Sequence, residues 1–244
     1  MESEIFTQHI SRKFNTELEN LRTLVGNMGG LVERQLSQAV EALVSADSEL
    51  GLEVARRDVE VNRMEVKIDE ECNRLLATRA PAAADLRLIV AVIKTITDLE
   101  RIGDEAERIG ILAARLASQT QPNNRYDELN SLSEHVQEMV HDALDVFSRL
   151  DVVDALKIVE EDKYVDEEYD MISRQCITLM MEDPRTIRRF MDISWAARAL
   201  ERIGDHAKNI SEYVIYLVQG KDVRHTDIEQ VKEQVRQKAE SKEG

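Results

Sequence analysis

Two carboxylates four residues apart, written twice, are the side chains of this chain best placed to do chemistry. Glu100 and Asp104 lie in Leu99-Glu100-Arg101-Ile102-Gly103-Asp104. Glu201 and Asp205 lie in the identical stretch Leu200-Glu201-Arg202-Ile203-Gly204-Asp205. A weaker match continues, with Glu105-Ala106-Glu107-Arg108-Ile109 aligned to His206-Ala207-Lys208-Asn209-Ile210. Six identical residues at one spacing point to an internal duplication. On a helix, residues four apart share a face, and two like charges there repel by about 0.2–0.5 kcal/mol. A cation beside them relieves that repulsion, so the pattern suggests metal binding.

The elements that must position these acids are long helices. Leu18, Leu21, Leu24, Val25, Met28, Leu31, Val32, Leu36, Ala39, Val40 and Leu43 recur at steps of three and four, one apolar stripe on a first helix over residues 6–46. Gly29-Gly30 lies inside it without changing its phase, which favours a continuous helix over a break. Ser45 and Asp47 offer caps for a second helix at 49–79. Pro81 suits the first turn of a third at 82–118. Gln121-Pro122-Asn123-Asn124 is the strongest loop signal and the expected boundary between halves. A fourth helix is expected at 126–150, with Leu132, Val136, Met139, Val140, Ala143, Leu144 and Phe147 on its core face. Asp151 caps a fifth, to residue 181, and Asp183-Pro184 opens a sixth that ends before Gly220. From Lys221 the composition is charged, and a frayed helix or disorder is expected. The fold class is therefore all-α: two tandem, sequence-related three-helix bundles of six long antiparallel helices, spanning 1–121 and 122–220, with a charged tail at 221–244.

Antiparallel neighbours joined by a short turn stand level when their numbers sum to twice the turn centre, about 162 for the second and third helices and about 367 for the fifth and sixth. Glu100 is then level with Asn62 and Asp104 with Asp58. Glu201 is level with Asp166 and Asp205 with Asp162. The candidate metal ligands are thus Asp58, Asn62, Glu100 and Asp104 in the first hairpin, and Asp162, Asp166, Glu201 and Asp205 in the second. Oxygen-rich sets of this kind suit magnesium, manganese, calcium or iron. By count of carboxylates the second set is the stronger, because Asn62 replaces an acid in the first. The plainer alternative is a solvated charged face on which Arg101 and Arg202 balance the acids.

Other motifs carry less. Glu138-x-x-His141 has the spacing of a di-iron ligand pair but occurs once. His206 adjoins Asp205 and is expected near the second set as a surface or supporting residue. Trp195 is expected in the core or an interface. Arg185, Arg188 and Arg189 form a compact basic cluster, read as a solvated helix start or else a docking patch. No phosphate loop, Rossmann fingerprint or nucleophile–base pairing appears.

Composition narrows the classes. The chain has 244 residues, a formal charge of −16, 43% hydrophobic and 33% charged residues, and only 3 Pro and 9 Gly. Such acidity argues against a nucleic-acid partner, which requires clustered Lys and Arg. Cys72 and Cys176 form no motif, which fits the cytoplasm. The acidic N-terminus lacks a signal-peptide pattern, and the longest apolar run, from Leu88 to Ile93, is too short to span a bilayer. Membrane association is expected only through partners.

Asp85-Leu86-Arg87 after Pro81, the two Leu-Glu-Arg-Ile-Gly-Asp stretches, Met181-Glu182-Asp183, and Asp205-His206 leading to Asn209-Ile210 together resemble the PhoU family of bacterial phosphate-transport accessory proteins. The resemblance covers the chain to about residue 225. It implies two similar three-helix bundles and a cytoplasmic regulator rather than an enzyme. It further implies negative regulation of the phosphate-starvation regulon, restraint of phosphate uptake, and contact with a phosphate ABC transporter ATPase and a sensor histidine kinase. A homodimer, and a metal ion (magnesium, manganese, iron or zinc) on the paired acidic motifs, are also implied. The alternative from another class is a carboxylate-bridged metalloenzyme using the same clusters.

Overall fold

The computed structural model describes residues 12–119 and 127–220, with 222, 223 and 231. Among these residues the long helices are α1 (Arg12–Ser45), α2 (Ser48–Arg79), α3 (Ala83–Ala117), α4 (Asp127–Arg149), α5 (Val152–Glu182) and α6 (Ile187–Gln219). No strand occurs among the described residues, and no described helix is long and apolar enough to cross a membrane. Residues 6–11 of the expected first helix and the expected loop at 121–124 lie outside the described residues.

One corner is built twice. Ala46 and Leu150 take left-handed backbone, with φ of 53° and 55°. The next residue, Asp47 or Asp151, closes the preceding helix by donating its N–H to the carbonyl five residues back, at 3.0 and 3.2 Å. The same aspartate then caps the following helix, its carboxylate accepting from the N–H groups of Glu49 and Leu50, or of Val153 and Asp154. Asp47 is thus the cap of α2, while the Ser45 hydroxyl bonds back to the Glu41 carbonyl inside α1.

Two helix starts differ from expectation. Pro81 stays in the connection: Ala80 is left-handed and Ala82 extended, so α3 begins at Ala83. At the other hairpin a 3-10 turn, Pro184–Thr186, precedes α6. The Thr186 hydroxyl donates to the Asp183 carbonyl at 2.7 Å, tightening that turn before the α-helix begins.

α3 and α6 are the central pair. Each packs on the two other helices of its own half and on the other, while α1 also meets α4. One continuous hydrophobic core results, running through both halves. It explains two positions of the repeated stretch: Leu99, Ile102, Leu200 and Ile203 are fully buried, each contributing roughly 1.5–3 kcal/mol. The register follows the turn-centred pairing, with Gly51 against Gly110 and Val61 against Gly103. A Cβ on Gly51 would lie 2.4 Å from the Gly110 carbonyl oxygen, and one on Gly110 would lie 2.6 Å from that of Gly51. Two glycines therefore set the α2–α3 separation. Gly29 does related work in α1, which is continuous there, since a Cβ would meet a Leu144 methyl at 2.4 Å. Of the charged tail, where a frayed helix or disorder was expected, Val231 is helical and buried in the core and Val223 packs against that core.

Candidate metal clusters and the seam between the halves

The α2–α3 hairpin brings Asp58 and Asp104 together, and adds Glu107. One carboxylate oxygen from each of the three lies within 4.8 Å of the others. Asp58 is buried at 5% exposure and, among the described residues, is held by amides: Gln35 Nε2 donates to Oδ1 at 3.0 Å and Asn62 Nδ2 to Oδ2 at 3.0 Å. Gln35 also donates to the Gly103 carbonyl at 3.3 Å. A Cβ on Gly103 would lie 3.0 Å from Asp58 Oδ1, so the repeated glycine lets the carboxylate approach α3. Glu100 stands beside this group, close enough to feel the charges of Asp104, Glu65 and Asp58. The Asn62 amide oxygen is buried and unpartnered.

The electrostatics show a site short of positive charge. Glu100, Asp104 and Glu107 are all pushed above the usual carboxylate range, first by burial and then by neighbouring acids. Arg101 eases Glu100, Arg108 and Arg202 ease Asp104, and Arg108 eases Glu107, without cancelling the rise.

The second hairpin gathers Asp162, Asp166, Glu201 and Asp205, but arranges them differently. Lys208 Nζ donates to Asp162 Oδ2 at 2.5 Å, and the Arg198 guanidinium donates to Glu201 Oε1 at 2.6 Å. The other Glu201 oxygen is buried and unpartnered. Burial, then Asp205, Asp166 and Asp162, push Glu201 up to about 7 against the pull of Arg198. Asp205 and Asp166 are raised by burial and by Asp162, with Lys208 opposing. Burial alone would depress the Lys208 ammonium, yet its bond to Asp162 and the charges of Asp162, Asp205 and Glu212 hold it above its usual value. Convergence of carboxylates is thus tighter in the first hairpin, the reverse of the ranking by carboxylate count.

Glu107 is missing from the sequence candidates although the repeat alignment sets it opposite Lys208. His206 does not serve the second cluster: its Nδ1 reaches across to Asp98 Oδ1 at 2.7 Å. Asn209 Nδ2 reaches the same oxygen at 3.2 Å, and the Tyr213 hydroxyl donates to Oδ2 at 2.8 Å. Asp98 and two other buried acids on α3 and α6, Glu105 and Asp192, are each held by donors from the opposite half. Glu105 takes Arg202 at 2.8 Å and its own-helix neighbour Arg108 at 3.1 Å. Asp192 takes Arg115 and Gln119, both at 3.0 Å. The two halves therefore meet through an apolar core threaded by buried charges, Asp98, Glu105 and Asp192 among them, and the repeated arginine at 202 joins that seam. Nothing in local spacing marks Asp98 or Asp192 as buried, because their donors lie about 70–115 residues away.

The remaining motifs separate. Glu138 lines a groove between α4 and α5 while His141 lines another against α1, where its Nδ1 meets Glu33 at 2.6 Å, so the two do not form a ligand pair. Trp195 is 47% exposed and lies outside the core, because its face of α6 points to solvent. Arg185 closes on Asp183 in a two-pronged pair, and Arg188 is exposed. Both thiols are buried and free, and burial lifts Cys72 to about 12 and Cys176 to about 11, so both stay protonated.

Comparison with known proteins agrees with the duplication. A family model described as PhoU domain matches twice, at residues 25–113 and 129–214. A protein of Pseudomonas aeruginosa named phosphate-specific transport system accessory protein PhoU homolog is 50% identical over 229 residues, covering 94% of this chain and 95% of its own. The crystal structure of PhoU from Pseudomonas aeruginosa superposes with a TM-score of 0.83 at 51% identity, covering 85% of this chain and all of that one. The crystal structure of the phosphate transport system regulatory protein PhoU from Streptococcus pneumoniae gives 0.80 at 28% identity, covering 86% and 99%.

Proposed function

Because the chain belongs to the PhoU family, a family of transport accessory and regulatory proteins rather than enzymes, we propose that it is an accessory protein of phosphate transport acting as a negative regulator of the phosphate-starvation regulon. In this reading it works in the cytoplasm as an adaptor: it contacts the ATPase of a phosphate ABC importer and a sensor histidine kinase, and reaches the membrane only through them. It restrains uptake when phosphate is plentiful and acts as a homodimer. The observation that carries the regulatory reading is the pair of carboxylate clusters beside a polar seam, since charge placed on α3 or α6 acts on the contact between the halves.

The donor set at the first cluster fits a hard metal ion. Asp58, Asp104 and Glu107 offer converging oxygens, Asn62 offers an unpartnered amide oxygen, and Arg108 and Arg202 compensate the raised carboxylates only in part. Magnesium, manganese, iron or zinc would be held there by oxygen ligands. Such an ion supplies charge neutralisation, and with it a fixed spacing of α2 and α3. Glu100 borders the set, and Asp162, Asp166, Glu201 and Asp205 form the second candidate.

The test is phosphate accumulation by the source cell in ample phosphate, with the gene intact, deleted, or carrying Asp58→Asn with Asp104→Asn. Deletion is expected to raise accumulation severalfold and the intact gene to restore it. Accumulation that is the same with and without the gene refutes the accessory role. A double variant that restores control fully removes the metal from the mechanism.

A further inference from the structure

Repeat equivalence puts Glu107 and Lys208 at one position of the duplicated frame. Around that position the two hairpins match closely. Glu100 and Glu201, Asp104 and Asp205, and Gly103 and Gly204 correspond, and the facing helices supply Asp58 with Val61 and Asp162 with Val165. Yet the charge at the one position is opposite. Glu107 joins Asp58 and Asp104 in the first hairpin, whereas the Lys208 ammonium sits 2.5 Å from Asp162, the counterpart of Asp58.

An ammonium at that place does what a metal ion would do for the carboxylates, and it excludes one. Lys208 Nζ takes Asp162 Oδ2, and Arg198 takes one oxygen of Glu201, so two of the four acids are already engaged by side-chain cations. Asp162 is 6% exposed at its side chain and Lys208 32%, so the pair is not a solvated surface contact. A divalent ion entering this cluster would have to lift Lys208 from Asp162 and leave it nearby as a repelling charge. Among the described residues Asp58 has no such competitor: its hydrogen-bond partners there, Gln35 and Asn62, are neutral.

From this we infer that Lys208 is a built-in cation that takes the place of a metal ion in the second cluster, so that metal binds at the first cluster alone. The residue at the shared position, glutamate or lysine, decides which half responds to metal. The first hairpin changes its charge with metal supply, and the second keeps its own charge whatever the metal supply. This rests on the metal reading proposed above, and the experiment separates the two.

The experiment is titration of the full-length, metal-stripped chain with manganese chloride by calorimetry, with bound manganese counted after dialysis and melting followed in parallel. The proteins are wild type, Glu107→Lys, Asp162→Asn, Lys208→Glu and Lys208→Gln. One class of sites is expected in wild type, unchanged by Asp162→Asn and weakened at least 100-fold by Glu107→Lys. A second class should appear in Lys208→Glu, and a weaker second class in Lys208→Gln, which adds no charge and guards against misfolding of the first variant. Manganese should raise the melting temperature of wild type and not that of Glu107→Lys. Wild-type binding that Asp162→Asn reduces, or failure of both Lys208 variants to gain a second class, overturns the inference and leaves the metal reading standing. Absence of manganese binding in every protein, wild type included, overturns both.

Discussion

Removing the Asp98 carboxylate should cost more than any other single truncation along the seam. Asp98 is 3% exposed and accepts from three side chains of the other half: His206 at 2.7 Å, Asn209 at 3.2 Å and Tyr213 at 2.8 Å. Asp98→Ala leaves those donors facing a cavity, and losing one partner of a buried charged network costs about 3–5 kcal/mol. For a chain of this size 1 kcal/mol shifts the melting temperature by about 2–4 °C, so a fall on the order of 10 °C is expected. Tyr213→Phe removes one charge-assisted bond and should cost about 1.5–3 kcal/mol. The assay is urea unfolding of the two single variants and the double variant, which isolates the coupling between them. A coupling of about 0.5–3 kcal/mol is expected for groups in one network. A loss below 1 kcal/mol for Asp98→Ala, or additive single effects, would mean that the halves are held by the apolar core alone.

Two further outcomes follow from single residues. Glu201 titrates near 7 in the folded chain against an ordinary 4.5, so the folded state binds this proton more tightly than the unfolded one. Its contribution is complete below pH 4.5 and is lost as pH rises through 7, by at most about 3 kcal/mol, and by less once Arg198 and solvent screening are allowed for. Glu201→Gln should therefore flatten the stability of metal-free protein between pH 5 and 8 relative to wild type; parallel profiles by thermal melting would contradict the raised carboxyl. At the α2–α3 crossing, Gly110→Ala drives a Cβ to within 2.6 Å of the Gly51 carbonyl. Rigid backbone faces it, so a loss of roughly 1–3 kcal/mol by denaturant unfolding is expected, and a neutral or stabilising result would show that the helices separate freely.

The helices were legible because their apolar residues keep one phase over many turns, and because Asp47, Asp151 and Asp183 carry local capping chemistry. The hairpin register was legible too, since a short turn leaves antiparallel helices little freedom, and it placed Asp58 level with Asp104. What depended on distant partners was not. Glu107 and Lys208 fall three residues after the repeated Glu-x-x-x-Asp, and their opposite roles depend on which carboxylate each meets across the hairpin. His206 reads as a neighbour of Asp205 along the chain, yet the helix turns it to the opposite half, where Asp98 lies. Trp195 has the composition of a core residue, but α6 buries its other faces first. Burial of Asp98, Glu105 and Asp192 arises from the packing of α3 on α6, which no window of local sequence contains.

The measurement that bears most directly on the central claim is a phosphate-starvation promoter reporter in the source cell, grown in ample phosphate. It is read with the gene intact, deleted, and replaced by the Asp58→Asn, Asp104→Asn form. High expression in the deletion, silence with the intact gene and partial release with the double variant are expected of a negative regulator that uses its first cluster. Equal expression in the intact and deleted strains would contradict it.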